Sequence, residues 1–197
     1  MRIHIKILVI TIAFFSSFSS CVKDDCDENK IVSTHDLDAN TYSQIMVYKD
    51  LDTVRFLKNG TDTVEFFAGK VNKKYQVDLA DGGYGCGKEQ YQIATQKFKN
   101  NANDSFEIQF SKFGFAKKTA DKLDVIFNDI YFQVHFESII NCGNHTPVLG
   151  KSYCYEEMFP ARDSRGKEPR GSEYIYYSKD FGIVKAFVNS NTYERLP

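Results

Sequence analysis

The sequence predicts a mainly β protein, in which antiparallel hairpins form a sandwich or an open half-barrel with at most one or two short helices. Three observations support this prediction. Apolar and polar residues alternate with a period of two in many short stretches, as in strands with one buried face. Asn, Asp and Gly residues, which favour turns, separate these stretches. Only 4 prolines occur among 197 residues, and no long stretch has helical periodicity.

The first predicted hairpin turns at Asn59-Gly60, because both residues tolerate the positive φ of a tight hairpin turn. Apolar residues alternate with polar ones over 54–56 before this turn and over 64–66 after it. Further strands are predicted by the same alternation over 75–79, 91–95 and 106–111.

A second hairpin is predicted within 121–137, where the apolar positions change register. They carry odd numbers up to Phe127 and even numbers from Ile130 onwards, and Asn128-Asp129 lies between them. A two-residue turn would pair Phe127 with Ile130 and place all the apolar side chains on one face. One long strand with a bulge is the alternative, and we favour the hairpin.

The C-terminal part of the chain repeats the strand pattern, and Lys179-Asp180 and Asn189-Ser190 mark its turns. We predict its strands over 173–178, 183–188 and 193–196. The one helix candidate is short and covers 116–121.

The first twenty residues have the layout of a signal peptide. Arg2 and Lys6 precede an apolar run over 7–15, and small residues follow up to Cys21. The apolar run is too short to cross a bilayer, which takes about 20 residues. We therefore divide the chain into a signal peptide (1–20), a flexible acidic tether (21–40) and a single β-rich domain (41–197).

The stretch Phe18-Ser19-Ser20-Cys21 resembles a bacterial lipobox. This resemblance implies acylation of Cys21 and a stable membrane anchor, since several acyl chains hold a protein far better than one. The alternative is ordinary signal cleavage followed by a disulfide cysteine. The following residues, Lys23, Asp24 and Asp25, resemble the export signal of Bacteroidota surface lipoproteins and imply a lipid-anchored position on the outer face of the outer membrane.

Two further stretches are similar to features of such lipoproteins. Residues 176–185 resemble the closing hairpin of small Bacteroidota lipoproteins of unassigned function, and also a hairpin of half-barrel carriers of lipid and lipoprotein. Asp52-Thr53-Val54 and Asp62-Thr63-Val64 resemble the Asp-Thr-apolar acceptor for O-glycosylation in the same phylum. The alternative for Thr53 and Thr63 is that threonine simply suits a strand.

The cysteines predict a disulfide and no metal site. With Cys21 acylated, four of the 5 cysteines remain, and three pairings are possible. Cys86 and Cys142 both lie in glycine-containing turns, so we favour that pair. No C-x-x-C motif or cysteine–histidine cluster has zinc-ligand spacing, and we predict neither a metal nor another cofactor.

No catalytic residue is predicted. The chain lacks G-x-S-x-G, and Glu156 and Glu157 are adjacent in a predicted strand, so they point to opposite faces. Gly82, Gly87 and Lys88 have the spacing of a phosphate loop, but Glu89 replaces the Ser or Thr that holds magnesium, and a strand pattern follows.

These features predict a non-catalytic binding or structural lipoprotein at the cell surface. We expect a monomer that reaches the membrane through its acyl chains and binds a glycan, a protein or an apolar ligand. Because 25 basic residues balance 26 acidic ones, we expect no nucleic-acid partner. The alternative is a carrier with a lipocalin-like apolar pocket. Four tyrosines are candidates for core or binding surface: Tyr174, Tyr176, Tyr177 and Tyr193.

Overall fold

The structure is a computed structural model that describes residues 27–79, 87–115, 118–135, 144–161 and 172–197. These residues form one 13-stranded sheet and one short helix. The elements are β1 (Ile31–His35), α1 (Ala39–Ile45), β2 (Thr53–Lys58), β3 (Asp62–Ala68), β4 (Asn72–Leu79), β5 (Lys88–Lys99), β6 (Ser105–Phe115), β7 (Lys118–Phe127), β8 (Ile130–His135), β9 (Asn144–Val148), β10 (Lys151–Met158), β11 (Tyr174–Ser178), β12 (Gly182–Val188) and β13 (Asn191–Arg195).

The sheet is a curled antiparallel half-barrel. Its main path runs β8-β7-β6-β5-β3-β2-β13-β12-β11-β10-β9, and both β1 and β4 pair with β5. β1 is parallel to β5, whereas the other strand pairs of the described chain are antiparallel. A bridge between Phe132 and Pro160 and a 2.8 Å hydrogen bond from Ala161 N–H to the Tyr131 carbonyl connect β8 to the segment after β10. The predicted fold class is confirmed, as the half-barrel form.

The predicted hairpin at Asn128-Asp129 is confirmed. β7 and β8 pair Phe127 with Ile130, and the turn residues have φ values of 45° and 66°. The alternative of one bulged strand is therefore wrong. The hairpin at Asn59-Gly60 is also present, with φ values of 53° and 74°.

Aromatic rings fill the described interior of the half-barrel. Phe106 lies at the centre of this group: its ring stacks on Phe98 with centroids 4.1 Å apart and on Phe127 at 5.6 Å. We call this group the aromatic interior; its members are at most 1% exposed and are Phe56, Phe66, Phe98, Phe106, Phe127 and Tyr193.

Tyr48 packs against the aromatic interior at one end of the half-barrel. Its ring meets Phe98 edge-on at 4.9 Å, and its hydroxyl accepts a 2.7 Å hydrogen bond from Ile183 N–H. Gly182 has a φ of 72°, and a Cβ there would overlap the Tyr48 ring and hydroxyl. Glycine is thus required at this turn both for its backbone conformation and for space.

Asp104 is the centre of a hydrogen-bonded cluster at the turn between β5 and β6. Its carboxylate accepts a 3.0 Å hydrogen bond from Lys58 Nζ and a 3.3 Å hydrogen bond from the Tyr193 hydroxyl. Asn100 and Asn128 donate to the same carboxylate. Burial tends to raise the pKa of Asp104, but the Lys58 hydrogen bond and charge, with the two asparagine hydrogen bonds, hold it below its ordinary 3.8.

Two predictions differ from the structure near the ends of elements. The helix predicted over 116–121 is wrong, because Lys118–Phe127 forms β7. Residues 31–35, predicted within the flexible tether, form β1 along β5, and Leu37 is buried in the core. The described chain has one helix, α1. Asp38 caps its N-terminus by accepting a hydrogen bond from Thr41 N–H.

Edge strand β4 contrasts with the strands of the half-barrel. It pairs with residues 88–95 of β5, and all eight of its residues are exposed. Its apolar side chains alternate as in a core strand, but Tyr75, Val77 and Leu79 are 46%, 46% and 57% exposed.

Within the described residues, no helix has the length and apolar character needed to span a membrane.

Candidate functional site

Four aromatic side chains form a continuous stack on the outer face of β10, β11 and β12. Ring centroids lie 4.1 Å apart between Tyr155 and Tyr176 and 4.8 Å apart between Tyr176 and Tyr174. Phe187 follows at 6.0 Å from Tyr174, and interplanar angles are 27–29° throughout. All four side chains are half-buried. We call this stack the aromatic ladder.

Strand alternation places the ladder outside the half-barrel. In β11, Ile175 and Tyr177 are fully buried, while Tyr174 and Tyr176 lie on the opposite face. The sequence grouped these two tyrosines with Tyr177 and Tyr193 as core or surface candidates. The structure divides the group, since Tyr177 and Tyr193 are 0% exposed and belong to the core.

Charged residues lie beside the ladder on the neighbouring strands. Tyr176 is paired in register with Glu157 on β10 and with Lys185 on β12. Lys185 Nζ in turn contacts Glu194 at 2.8 Å. Burial, followed by the charge of Glu157, raises the pKa of Tyr176 to about 12. The phenol is therefore neutral at physiological pH and remains a hydrogen-bond donor.

A smaller aromatic group extends this surface beyond the ladder. Tyr153 packs edge-on against Phe181 with centroids 5.2 Å apart, and Lys151 Nζ lies 4.8 Å from the Phe181 centroid. Val148, Tyr153 and Val184 form a small buried cluster against which Tyr155 and Tyr176 pack. This cluster supports the base of the ladder, so the rings are held in place before any ligand arrives.

No known family, curated protein or solved structure matches this chain.

The polar side chains around His35, on β1 and β5, form the arrangement that most resembles a catalytic site. Ser33 Oγ lies 2.9 Å from His35 Nε2, and Glu89 Oε2 lies 3.5 Å from the same nitrogen. A catalytic triad instead places the nucleophile at one ring nitrogen and the orienting acid at the other. The His35 ring also stacks on Tyr91 at 4.8 Å. This geometry fits a structural contact between β1 and β5.

The acidic pair at 156–157 lies on two faces of the sheet, as its adjacency predicts. Glu156 is paired with buried Tyr177, and Glu157 with outward-facing Tyr176. Burial and the neighbouring Glu157 charge raise the pKa of Glu156. No cluster of three or more His, Cys, Asp or Glu side chains suits a metal ion within the described part of the chain.

Several predicted site residues lie outside the described residues. They are Cys21, Lys23, Asp24, Asp25, Cys86 and Cys142. Cys154 is disulfide-bonded, and its partner cysteine also lies outside the described residues. Of the phosphate-loop candidates, Lys88 begins strand β5 rather than a helix, so the helix N-terminus that such a loop needs does not follow it.

Both predicted glycosylation threonines are exposed. Thr53 begins β2 and Thr63 is the second residue of β3. Thr63 also lines a shallow groove of about 410 Å³ together with Val64, Glu65 and residues 100–102. Exposure of both side chains on this hairpin is compatible with the predicted modification.

Tyr155 and Phe187 could not be identified from the sequence as partners of Tyr174 and Tyr176. The alternation in β11 indicates that Tyr174 and Tyr176 share a face. The neighbours of that face depend on the order β10-β11-β12 and on the register of each pair, which a single sequence does not define.

Proposed function

We propose that this chain is a non-catalytic, lipid-anchored lipoprotein of the outer-membrane surface that binds carbohydrate through the aromatic ladder. One observation carries this proposal. Buried rings fill the described interior, whereas four further rings remain half-buried at the outer face. Aromatic side chains with a flat apolar body and a polar tip suit ligands that combine apolar faces with hydroxyl groups.

The chemistry around the ladder supports a sugar ligand. The tyrosine hydroxyls can donate and accept hydrogen bonds, and Glu157 and Lys185 add an acceptor and a donor on either side of Tyr176. The rings at the two ends of the stack, Tyr155 and Phe187, each have one face turned away from the ladder. Because stacking already restricts the rings, binding would order few additional side-chain rotamers.

A glycan array with the labelled full-length chain in detergent tests this proposal. We expect the wild type to bind a subset of glycans. Replacing Tyr155 and Tyr176 together by alanine should weaken that binding about tenfold or more, since each aromatic contact contributes about 0.5–1.5 kcal/mol. The matched control is Phe67→Ala, which removes an exposed aromatic ring from β3 and should bind as the wild type does. Absence of glycan binding, or equal binding by the double variant, would contradict the proposal.

The anchor and the cellular position have their own tests. Cys21→Ala should release the protein from membranes, because it removes the acylated residue. Protease added to intact cells should digest the wild-type protein and spare a periplasmic control protein. Membrane retention of the Cys21→Ala variant would contradict the anchor, and protection from protease would place the protein in the periplasm.

A carrier of an apolar ligand is the second candidate, and the half-barrel shape favours it. Such a carrier needs interior space, and the described interior is occupied by large rings such as Phe56, Phe66 and Phe106. Solvent extraction of the purified protein followed by mass spectrometry separates the two candidates. A lipid recovered in equal molar amount would support the carrier, and its absence would support the outer-surface site.

A further inference from the structure

In the part of the chain that the structure describes, no strand pairs with the outer edge of β4. Among the described residues, β5 is its only strand partner. An open edge presents alternate backbone N–H and C=O groups that another strand can pair with. β4 offers eight residues of such an edge, and all of them are exposed.

The sequence of β4 is complementary to itself when read in the opposite direction. Lys74 and Asp78 lie two residues before and two residues after Gln76, while Tyr75 and Val77 are its immediate neighbours. An antiparallel pair of β4 strands centred on Gln76 would therefore place each Lys74 opposite the Asp78 of the other copy. It would also place each Tyr75 opposite a Val77.

Backbone geometry limits the other registers. A two-fold centre between two residues would pair residues of opposite parity, whose backbone groups and side chains point in opposite directions. A centre at Tyr75 would place Lys74 opposite Gln76, and a centre at Val77 would place Gln76 opposite Asp78. Only the two-fold centre at Gln76 places Lys74 opposite Asp78.

We propose that two copies of this chain pair through their β4 edges in an antiparallel two-fold register centred on Gln76. The two-fold axis doubles every favourable contact, so each dimer has two Lys74–Asp78 pairs on one face and two Tyr75–Val77 pairs on the other. The pairing also covers apolar side chains that are 46% exposed in the single chain. A dimer differs from the monomer expected from the sequence.

A second copy fits this edge better than an unrelated strand does. Lys74 and Asp78 carry opposite charges on the same face of β4, and each lies two residues from Gln76. An unrelated strand would have to match that spacing, whereas a second copy does so by symmetry. The surface is distinct from the aromatic ladder, so the proposal stands independently of the carbohydrate proposal.

Sedimentation equilibrium of the full-length chain in a non-ionic detergent tests the pairing. We expect the wild type to dimerise, and Lys74→Glu or Asp78→Lys alone to weaken dimerisation about tenfold or more, because two attractive pairs become repulsive. A mixture of these two variants should regain dimers. In the mixed dimer the introduced glutamate of one chain faces the introduced lysine of the other, and the unchanged Asp78 faces the unchanged Lys74. The matched control Lys99→Glu makes the same charge change at an exposed position of β5 outside the proposed interface and should dimerise like the wild type.

Each contrary outcome identifies a different error. A wild type that stays monomeric at about 0.1 mM overturns the proposal, and binding of an added peptide strand to that monomer would assign the edge to a foreign partner. Dimers that persist in both single variants would place the interface elsewhere. Single variants that stay monomeric when mixed would contradict the register centred on Gln76.

Discussion

The aromatic interior and edge strand β4 have the same sequence pattern and opposite environments. In β6, Phe106, Ile108 and Phe110 alternate with polar residues and are 0–1% exposed. In β4, the apolar residues alternate in the same way and are 46–57% exposed. The period of two thus predicts the strand, whereas burial depends on whether the sheet curls over that strand.

The largest effect is expected at the centre of the aromatic interior. Phe106→Ala should lower the free energy of unfolding by about 3–5 kcal/mol, because it leaves a cavity among stacked rings. Phe67→Ala is the matched control, since Phe67 is 46% exposed on the outer face, and it should cost less than about 1.5 kcal/mol. Chemical denaturation measures both; similar losses would contradict the division between interior and surface.

The next effect concerns the Tyr48 end of the half-barrel. Gly182 and Gly60 have nearly equal φ values of 72° and 74°, but only Gly182 has a ring where its Cβ would lie. Gly60→Ala should cost about 1 kcal/mol for the backbone alone. Gly182→Ala should cost about 1–3 kcal/mol more, because Tyr48 must move. Thermal melts of the two variants give the difference, and equal melting temperatures would show that Tyr48 moves without cost.

An intermediate, pH-dependent effect is expected at Asp104. Its pKa lies below 3.8 in the folded protein, so its ionisation stabilises the fold fully above pH about 4 and loses this effect as the pH falls through the folded-state pKa. Asp104→Asn should cost about 1–2 kcal/mol at pH 7 and less at pH 3. Denaturation at both pH values is the measurement, with exposed Asp180→Asn as control. A loss that is the same at both pH values would contradict this role.

The smallest effect is expected in β4. Val77→Ala should change the free energy of unfolding by less than about 0.5 kcal/mol at protein concentrations too low for dimers, because its side chain is 46% exposed. Val125→Ala removes the same atoms from a fully buried position and should cost about 2 kcal/mol. A large loss for Val77→Ala in dilute denaturation experiments would show that β4 packs against the rest of the fold.

Much of the fold could be predicted from local pattern, but its long-range arrangement could not. The pairing of Phe127 with Ile130 followed from a change of register at two turn residues. The parallel alignment of β1 with β5 did not, because the two strands are separated by more than fifty residues and residues 31–35 show little alternation. α1 was missed because its seven residues are too few to show helical periodicity.

The candidate site could be predicted only in part, for the same reason. Tyr174 and Tyr176 were identified as possible binding residues from their aromatic character. Their stacking partners come from the neighbouring strands β10 and β12, so Tyr155 and Phe187 join them only once the strand order and register are known.

With the anchor proposed at Cys21, the alignment of β1 with β5 would also limit how far the domain can lie from the membrane surface. β1 begins at Ile31, about ten residues after Cys21. A fully extended segment of that length spans roughly 35 Å, which is less than the thickness of a bilayer with its headgroups. With the proposed anchor at Cys21, the domain would lie close to the lipid surface. The aromatic ladder would then meet only ligands found within about that distance of the membrane.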